Sequence, residues 1–183
     1  MSNIFLISDT HFGHSNILTF TDNEGKRLRE FDTVEEMDEL MVQRWNSVVR
    51  PQDKVYHLGD VVMHKRALPI LARLNGEKVL IKGNHDKEKI SEYLKYFKDV
   101  RGTHQFDGMI LSHIPIHPNS LARWGTNVHG HLHSNFVTIY KNYYDDEPLP
   151  DHRYFCVSVE QINYTPISLE DLKLKIKERN NNA

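Results

Sequence analysis

Lys78-Val79-Leu80-Ile81-Lys82-Gly83-Asn84-His85-Asp86 is an apolar run that ends abruptly in a glycine and three polar residues. A short apolar run bounded by turn-forming residues reads as a buried strand. The same pattern recurs along the chain. Ile4-Phe5-Leu6-Ile7 leads into Ser8-Asp9-Thr10-His11, and Val55-Tyr56-His57-Leu58 into Gly59-Asp60. Met109-Ile110-Leu111-Ser112 leads into His113, and Val128 into Gly130-His131-Leu132-His133. Helical patterns separate these strands, which points to an α/β architecture. Open α/β sheets bind ligands at the carboxyl ends of their strands, where these polar clusters fall.

The clearest helix follows a long loop over residues 9–31. Thr33 is placed to cap it, with Glu36 completing a capping box. Val34, Met37, Met41, Trp45 and Val48 form one apolar stripe, and Pro51 stops the helix. The strand at Val55 is expected to run to Val62 across Gly59-Asp60. Short helices are expected over 66–74 and 87–97, an irregular stretch over 115–127, and a strand over 136–140. A loop over 141–153, a strand over 154–159 and a final helix capped by Ser168 complete the reading.

The chain has 183 residues, 39% of them hydrophobic and 26% charged, which suits one globular domain over residues 1–183. A net charge of −2 supplies no overall positive field, so no stable nucleic-acid binding is expected. The single cysteine, Cys156, cannot form an internal disulfide. The apolar run near the N-terminus is too short for a signal-peptide core or a membrane span. The expectation is a cytoplasmic protein with no membrane partner; the sequence leaves the oligomeric state open.

Twelve histidines are an unusual number, and their placement matters more than their count. Asp9 and His11, like His131 and His133, are two residues apart, so on an extended segment each pair would face one way. Gly59 permits a sharp turn before Asp60, whose two oxygens could bridge two cations. In Gly83-Asn84-His85-Asp86, the Asn84 oxygen suits a hard cation, His85 can act on substrate, and Asp86 can orient its ring. Each cluster alone has a plain structural reading as a turn or a cap. Together they supply only oxygen and nitrogen donors, which suit Mn, Fe, Zn or Ni and not a thiolate zinc site.

In this order, Asp9-x-His11, Gly59-Asp60, Gly83-Asn84-His85-Asp86, His113 and Gly130-His131-x-His133 resemble the motifs of the calcineurin-like metallophosphoesterase superfamily. The opening stretch Ser8–Ile17, with Glu35-Glu36-Met37-Asp38 and Trp45-Asn46, looks like a small phosphoesterase subgroup of bacteria and their viruses. The resemblance implies a four-layer αββα sandwich of two mixed sheets flanked by helices. It implies that Asp9, His11 and His133 hold one divalent ion and that Asn84, His113 and His131 hold a second. Asp60 would bridge them and His85 would face the substrate phosphate, with manganese the expected metal.

Two cations about 3.5–4 Å apart clamp a phosphoryl group and make hydroxide available near neutral pH. The expected reaction is hydrolysis of a small phosphodiester, a nucleotide among the candidates, by a metal-bridged hydroxide. His14 and Asn16 on the first loop and Arg123 on the second are expected to line the substrate pocket. Trp124 would stack on a base or simply pack. A phosphomonoesterase is the runner-up. A non-catalytic scaffold would be expected to lack some of these histidines. A protein phosphatase would continue the Gly-Asp motif with Asp-Arg-Gly, where this chain reads Val61-Val62-Met63-His64.

Overall fold

The computed structural model describes residues 2–22, 24–140 and 147–181. In chain order its strands are β1 (Ile4–Ile7), β2 (Lys54–His57), β3 (Glu77–Ile81), β4 (Asp99–Arg101), β5 (Thr103–Phe106) and β6 (Met109–Ser112). They continue with β7 (Thr126–His129), β8 (Thr138–Ile139), β9 (Leu149–Pro150), β10 (Tyr154–Cys156) and β11 (Ile167–Ser168). The α-helices are α1 (Val34–Val48), α2 (Ile90–Tyr93) and α3 (Leu169–Asn181).

Two mixed sheets form the centre, with orders β11-β1-β2-β3-β4 and β10-β7-β6-β5. In the first, β1 to β4 are parallel, with Ile4 opposite Lys54 and Lys54 opposite Glu77, and only β11 runs antiparallel. In the second, β6, β7 and β10 are parallel and β5 is antiparallel. The strands that precede the polar clusters therefore lie side by side and point the same way within each sheet. Beyond β1 and β10 the sheets join: Ser8 N–H donates to the Val157 carbonyl at 2.9 Å and Val159 N–H to the Ser8 carbonyl at 3.1 Å.

Alternation along β1 divides the core. Leu6 faces the second sheet with Tyr56, Leu58, Val79, Leu111, Val128 and Phe155. Phe5 and Ile7 face α1, against Met37, Met41 and Trp45. Each fully buried side chain of this size contributes roughly 1.5–3 kcal/mol. A 3-10 helix over Lys65–Arg73 adds Leu68 and Leu71 to the same layer. On the outer face of the second sheet, Ile110 and Tyr154 lie under Leu121 of a 3-10 helix over Pro118–Arg123.

Thr33 caps α1 as expected, its Oγ1 accepting from Glu36 N–H at 3.1 Å. The Glu36 carboxylate reaches Asp32 N–H, not Thr33 N–H, so the reciprocal half of the capping box is absent. The stripe also shifts at its end, where Val48 is exposed and Val49 buried.

Several boundaries differ from expectation. β2 stops at His57, because Gly59 and Asp60 adopt positive φ and leave the strand. The 66–74 helix is 3-10, with Pro69 inside it. The 87–97 helix shrinks to one turn, α2, with Ile90 and Leu94 exposed and only Tyr93 and Phe97 anchored. The irregular stretch contains a 3-10 helix and the start of β7. The 136–140 strand contracts to β8. Part of the expected 141–153 loop, residues 141–146, lies outside the described residues, and Leu149–Pro150 pairs with β8. β4, β5 and β11 had no counterpart in the sequence reading.

Candidate metal centre

Five of the expected ligand residues hold a left-handed backbone: Asp9 (φ 58°), His11 (φ 49°), Asp60 (φ 55°), His131 (φ 69°) and His133 (φ 52°). Non-glycine residues rarely adopt this region, and those that do cluster at functional sites. The pairs at i and i+2 therefore do not lie on extended segments, contrary to expectation. The side chains converge because the backbone bends at each ligand. The bends are tied together by hydrogen bonds from Asp9 N–H to Gly59 O and from His11 N–H to Asp60 O, each 3.0 Å.

Glycines make this approach possible. A Cβ on Gly59 would lie 2.6 Å from Gly83 N and 2.7 Å from His113 Nδ1, at a φ of 98°. A Cβ on Gly130 would collide with the Ser8 hydroxyl and the Asp9 carboxylate.

Two donor groups result. The ligating atoms of Asp9, His11 and His133 lie within 4.8 Å of one another, and so do those of Asp60, His113 and His131. Asp60 touches both groups. Its Oδ2 is 3.6 Å from His11 Nε2 and 3.3 Å from His113 Nε2, while Oδ1 accepts from His85 N–H at 2.8 Å. Asn84 Oδ1 lies 2.8 Å from His113 Nε2, which places it with the second group. His113 Nδ1–H donates to the Leu58 carbonyl at 2.8 Å, turning Nε2 toward the site.

The residues fit divalent cations. Asp9 Oδ1 and both ring nitrogens of His11 are buried without hydrogen-bond partners. Buried polar atoms are normally paired, so these three call for a ligand. The donors are carboxylate, amide and imidazole, with no thiolate, which suits a borderline or hard divalent ion.

The electrostatics follow from burial and from these neighbours. Burial raises the Asp9 carboxyl above its ordinary value, against the pull of His133 and His113. Burial opposes ionisation of Asp60, but the hydrogen bond and charge of His113 outweigh it and hold the carboxyl at about 2. His11 is pushed well below its usual value by burial and then by Arg29, and His131 is lowered chiefly by burial. His113 and His133 rise despite burial, because Asp60 and Glu160 respectively favour their charged forms.

His85 is half-buried, with its ring edge-on to His11 at 5.6 Å between centroids and its Nδ1 unpartnered. Asp86 does not orient it. The Asp86 carboxylate accepts from Asp60 N–H (2.9 Å), Val61 N–H (3.0 Å) and Gly83 N–H (2.8 Å), clamping two ligand-bearing loops together. Its position as first residue after the Asn84-His85 pair suggested the wrong partner.

Of the expected substrate residues, His14 lies beside the centre, its ring 5.5 Å from that of His11. The loop that carries it is anchored where Gly13 N–H donates to Asp38 Oδ2 at 3.0 Å. Asn16 is exposed on a 3-10 helix over Ser15–Thr19. Arg123 is exposed at the end of the helix that covers the second sheet. Among the described residues neither side chain hydrogen-bonds the centre. Trp124 packs with Ile110, Leu121 and Tyr154, the plainer of its two readings.

Three contributors, Arg29, Glu160 and Ser158, went unnoticed in the sequence, and His57 supports the site as a buried structural residue. Arg29 is fully buried and donates to the carbonyls of Thr10, at 3.0 Å, and Asp9. Glu160 pairs with Arg29 and accepts from His133 Nδ1–H at 2.9 Å. Ser158 Oγ donates to Asp9 Oδ2 at 2.7 Å. His57 bonds Thr10 Oγ1 through Nε2, at 3.0 Å, and accepts from Gly59 N–H at Nδ1.

Comparison with known proteins agrees with this picture. Residues 2–178 match the family model described as calcineurin-like phosphoesterase. An uncharacterized protein of Methanocaldococcus jannaschii is 40% identical over 98% of this chain and 93% of its own length. The gene 66 protein of Mycobacterium phage L5 is 37% identical over 47% of this chain and 41% of its own length. A crystal structure of an Aquifex aeolicus protein of unknown function superposes with a TM-score of 0.64 at 27% identity, covering 94% of this chain and 98% of that one. Among the described residues no helix is long and apolar enough to cross a membrane. The chain belongs to the calcineurin-like phosphoesterase family, and its two donor groups support a metal-dependent phosphoesterase.

Proposed function

We propose that the protein is a binuclear phosphodiesterase. The carrying observation is Asp60, whose Oδ2 stands between His11 Nε2 at 3.6 Å and His113 Nε2 at 3.3 Å. One carboxylate oxygen shared by two donor groups supports a pair of ions. Asp9, His11 and His133 would hold the first ion, Asn84, His113 and His131 the second, and Asp60 both. Manganese is the metal we propose, with iron, zinc and nickel compatible with the same donors. When bound, such ions offset phosphate charge and lower the pKa of a water.

The chain's own residues do the rest. Asp60 is locked by His85 N–H, and Asp86 fixes the loops on either side. His85 faces the centre with a free ring nitrogen and serves as the acid that protonates the leaving oxygen. Among the described residues, the one guanidinium or ammonium group that hydrogen-bonds the ligand segments is Arg29, and it is engaged by Glu160 and two carbonyls. With Arg29 occupied in this way, it is not free to take the second charge of a dianionic monoester, which favours the singly charged diester. His14, Asn16 and Arg123 remain our candidates for substrate contacts, and a nucleotide is our candidate for the natural ester.

The test is a substrate panel with added Mn²⁺: an aryl diester, an aryl monoester, cyclic nucleotides and dinucleotide polyphosphates. The diesters should turn over faster than the aryl monoester; the reverse order rejects the diester assignment. His85→Ala should retain both ions and lose ~10²–10⁴-fold in rate on esters with poor leaving groups. An unchanged rate there removes His85 from the acid role.

A further inference from the structure

The two donor groups are backed differently. His113 leans on a neutral carbonyl, that of Leu58. His133 leans on a carboxylate: Nδ1–H donates to Glu160 Oε1 at 2.9 Å. The same oxygen accepts from Arg29 Nε at 2.8 Å and lies 2.7 Å from its Nη2. Arg29 then reaches across to the carbonyls of Asp9 and Thr10. Next to Glu160, Gln161 Nε2 donates to the His133 carbonyl at 3.0 Å, while Ser158 holds Asp9 Oδ2. The short stretch 158–161 and one buried arginine thus touch both turns that supply the first donor group.

From this geometry we propose that Glu160, held by Arg29, is the positioning residue of the first ion site. It fixes the His133 ring as the Nδ1–H tautomer with Nε2 presented to the ion. Arg29 ties the Asp9-Thr10-His11 turn to that same anchor, so both left-handed turns keep their mutual distance. A histidine ligand whose other nitrogen donates to a carboxylate is held in orientation and made more basic, and removing such a partner costs about 10–100-fold in metal affinity. The effect belongs to one site of the pair, because His113 and His131 make no contact with Arg29 or Glu160 among the described hydrogen bonds. The proposal rests on the two-ion reading above.

The experiment is a calorimetric titration of metal-free, full-length protein with Mn²⁺, with bound ions counted independently by elemental analysis. Wild type should take up two ions. Glu160→Gln should weaken one of the two by about 10–100-fold and leave the other unchanged. Two ions bound by Glu160→Gln with wild-type affinities overturn this proposal alone. A wild type that binds fewer than two overturns the two-ion reading and the proposal with it.

Glu160→Gln leaves Arg29 buried without its counter-charge, and the variant can fail to fold for that reason. Arg29→Met with Glu160→Gln removes both charges and carries the same expectation. A measurement on the unmutated protein completes the test: the ring ¹⁵N resonances of His133 in the Zn²⁺-loaded state. A protonated Nδ1 supports the assignment, and a protonated Nε2 overturns it.

Discussion

At the residue scale, the candidate centre is built on backbone that most side chains avoid. Asp9, His11, Asp60, His131 and His133 sit at positive φ, a conformation that costs of order 1–3 kcal/mol each unless the surroundings enforce it. The surroundings include the glycine contacts. Gly59→Ala would thrust a methyl group into Gly83 and the His113 ring while straining a φ of 98°. It should lower stability by about 2 kcal/mol or more and weaken ion binding, measured by thermal melting with and without Mn²⁺. His57 gives a second prediction. Burial depresses its pKa from 6.5 to about 3, so the fold keeps the ring neutral while an unfolded chain takes up a proton below pH 6.5. Stability from this group is present above pH 6.5 and is lost as pH falls toward 3, at roughly 1.4 kcal/mol per unit. In urea titrations of metal-free protein, His57→Gln should show a shallower loss than wild type over that interval; parallel curves would contradict the assignment.

At the scale of elements, α1 shows what local pattern can carry. Thr33 and the Met37-Met41-Trp45 stripe were legible because a cap and a 3.6-residue period are properties of neighbours in sequence. Thr33→Ala should cost about 1 kcal/mol, read as a lower urea midpoint with an unchanged slope. The hairpin of β5 and β6 was legible too, through Asp107-Gly108, whose φ values of 52° and 75° are those of a tight two-residue turn. β5, on the near side of that turn, was nonetheless not among the expected strands. α2 and β11 are different: each is four residues or fewer and exists because tertiary partners hold it. The metal motifs were legible as polar clusters after apolar strands, whereas Arg29, Ser158 and Glu160 carry no local signature. Their roles exist only across separations such as the 131 residues between Arg29 and Glu160.

At the scale of the whole molecule, the proposed ligands come from both sheets. Asp9, Asp60 and Asn84 follow β1, β2 and β3, while His113 and His131 follow β6 and β7. Bound ions would therefore brace one sheet against the other and stabilise only the folded chain. Mn²⁺ at about 100 times its dissociation constant should add about 2.7 kcal/mol, and chelation should remove it. With one core shared between the sheets, we propose that residues 1–183 form one unit. The calorimetric transition should then be single, with and without ions; two separated transitions would divide the domain.

The pairing of Ser8 with Val157 and Val159 also sets an order of events during synthesis. Ser158, which holds the Asp9 carboxylate, follows it by 149 residues. At about 5–20 residues per second, a ribosome supplies it on the order of ten seconds after Asp9. Throughout that interval the nascent chain carries Asp9 and His11 without the segment that fixes them. On the proposed ligand set, the first donor group closes only once translation has passed Gln161, so any ion it takes up would be loaded after that segment has been made and not by earlier fragments.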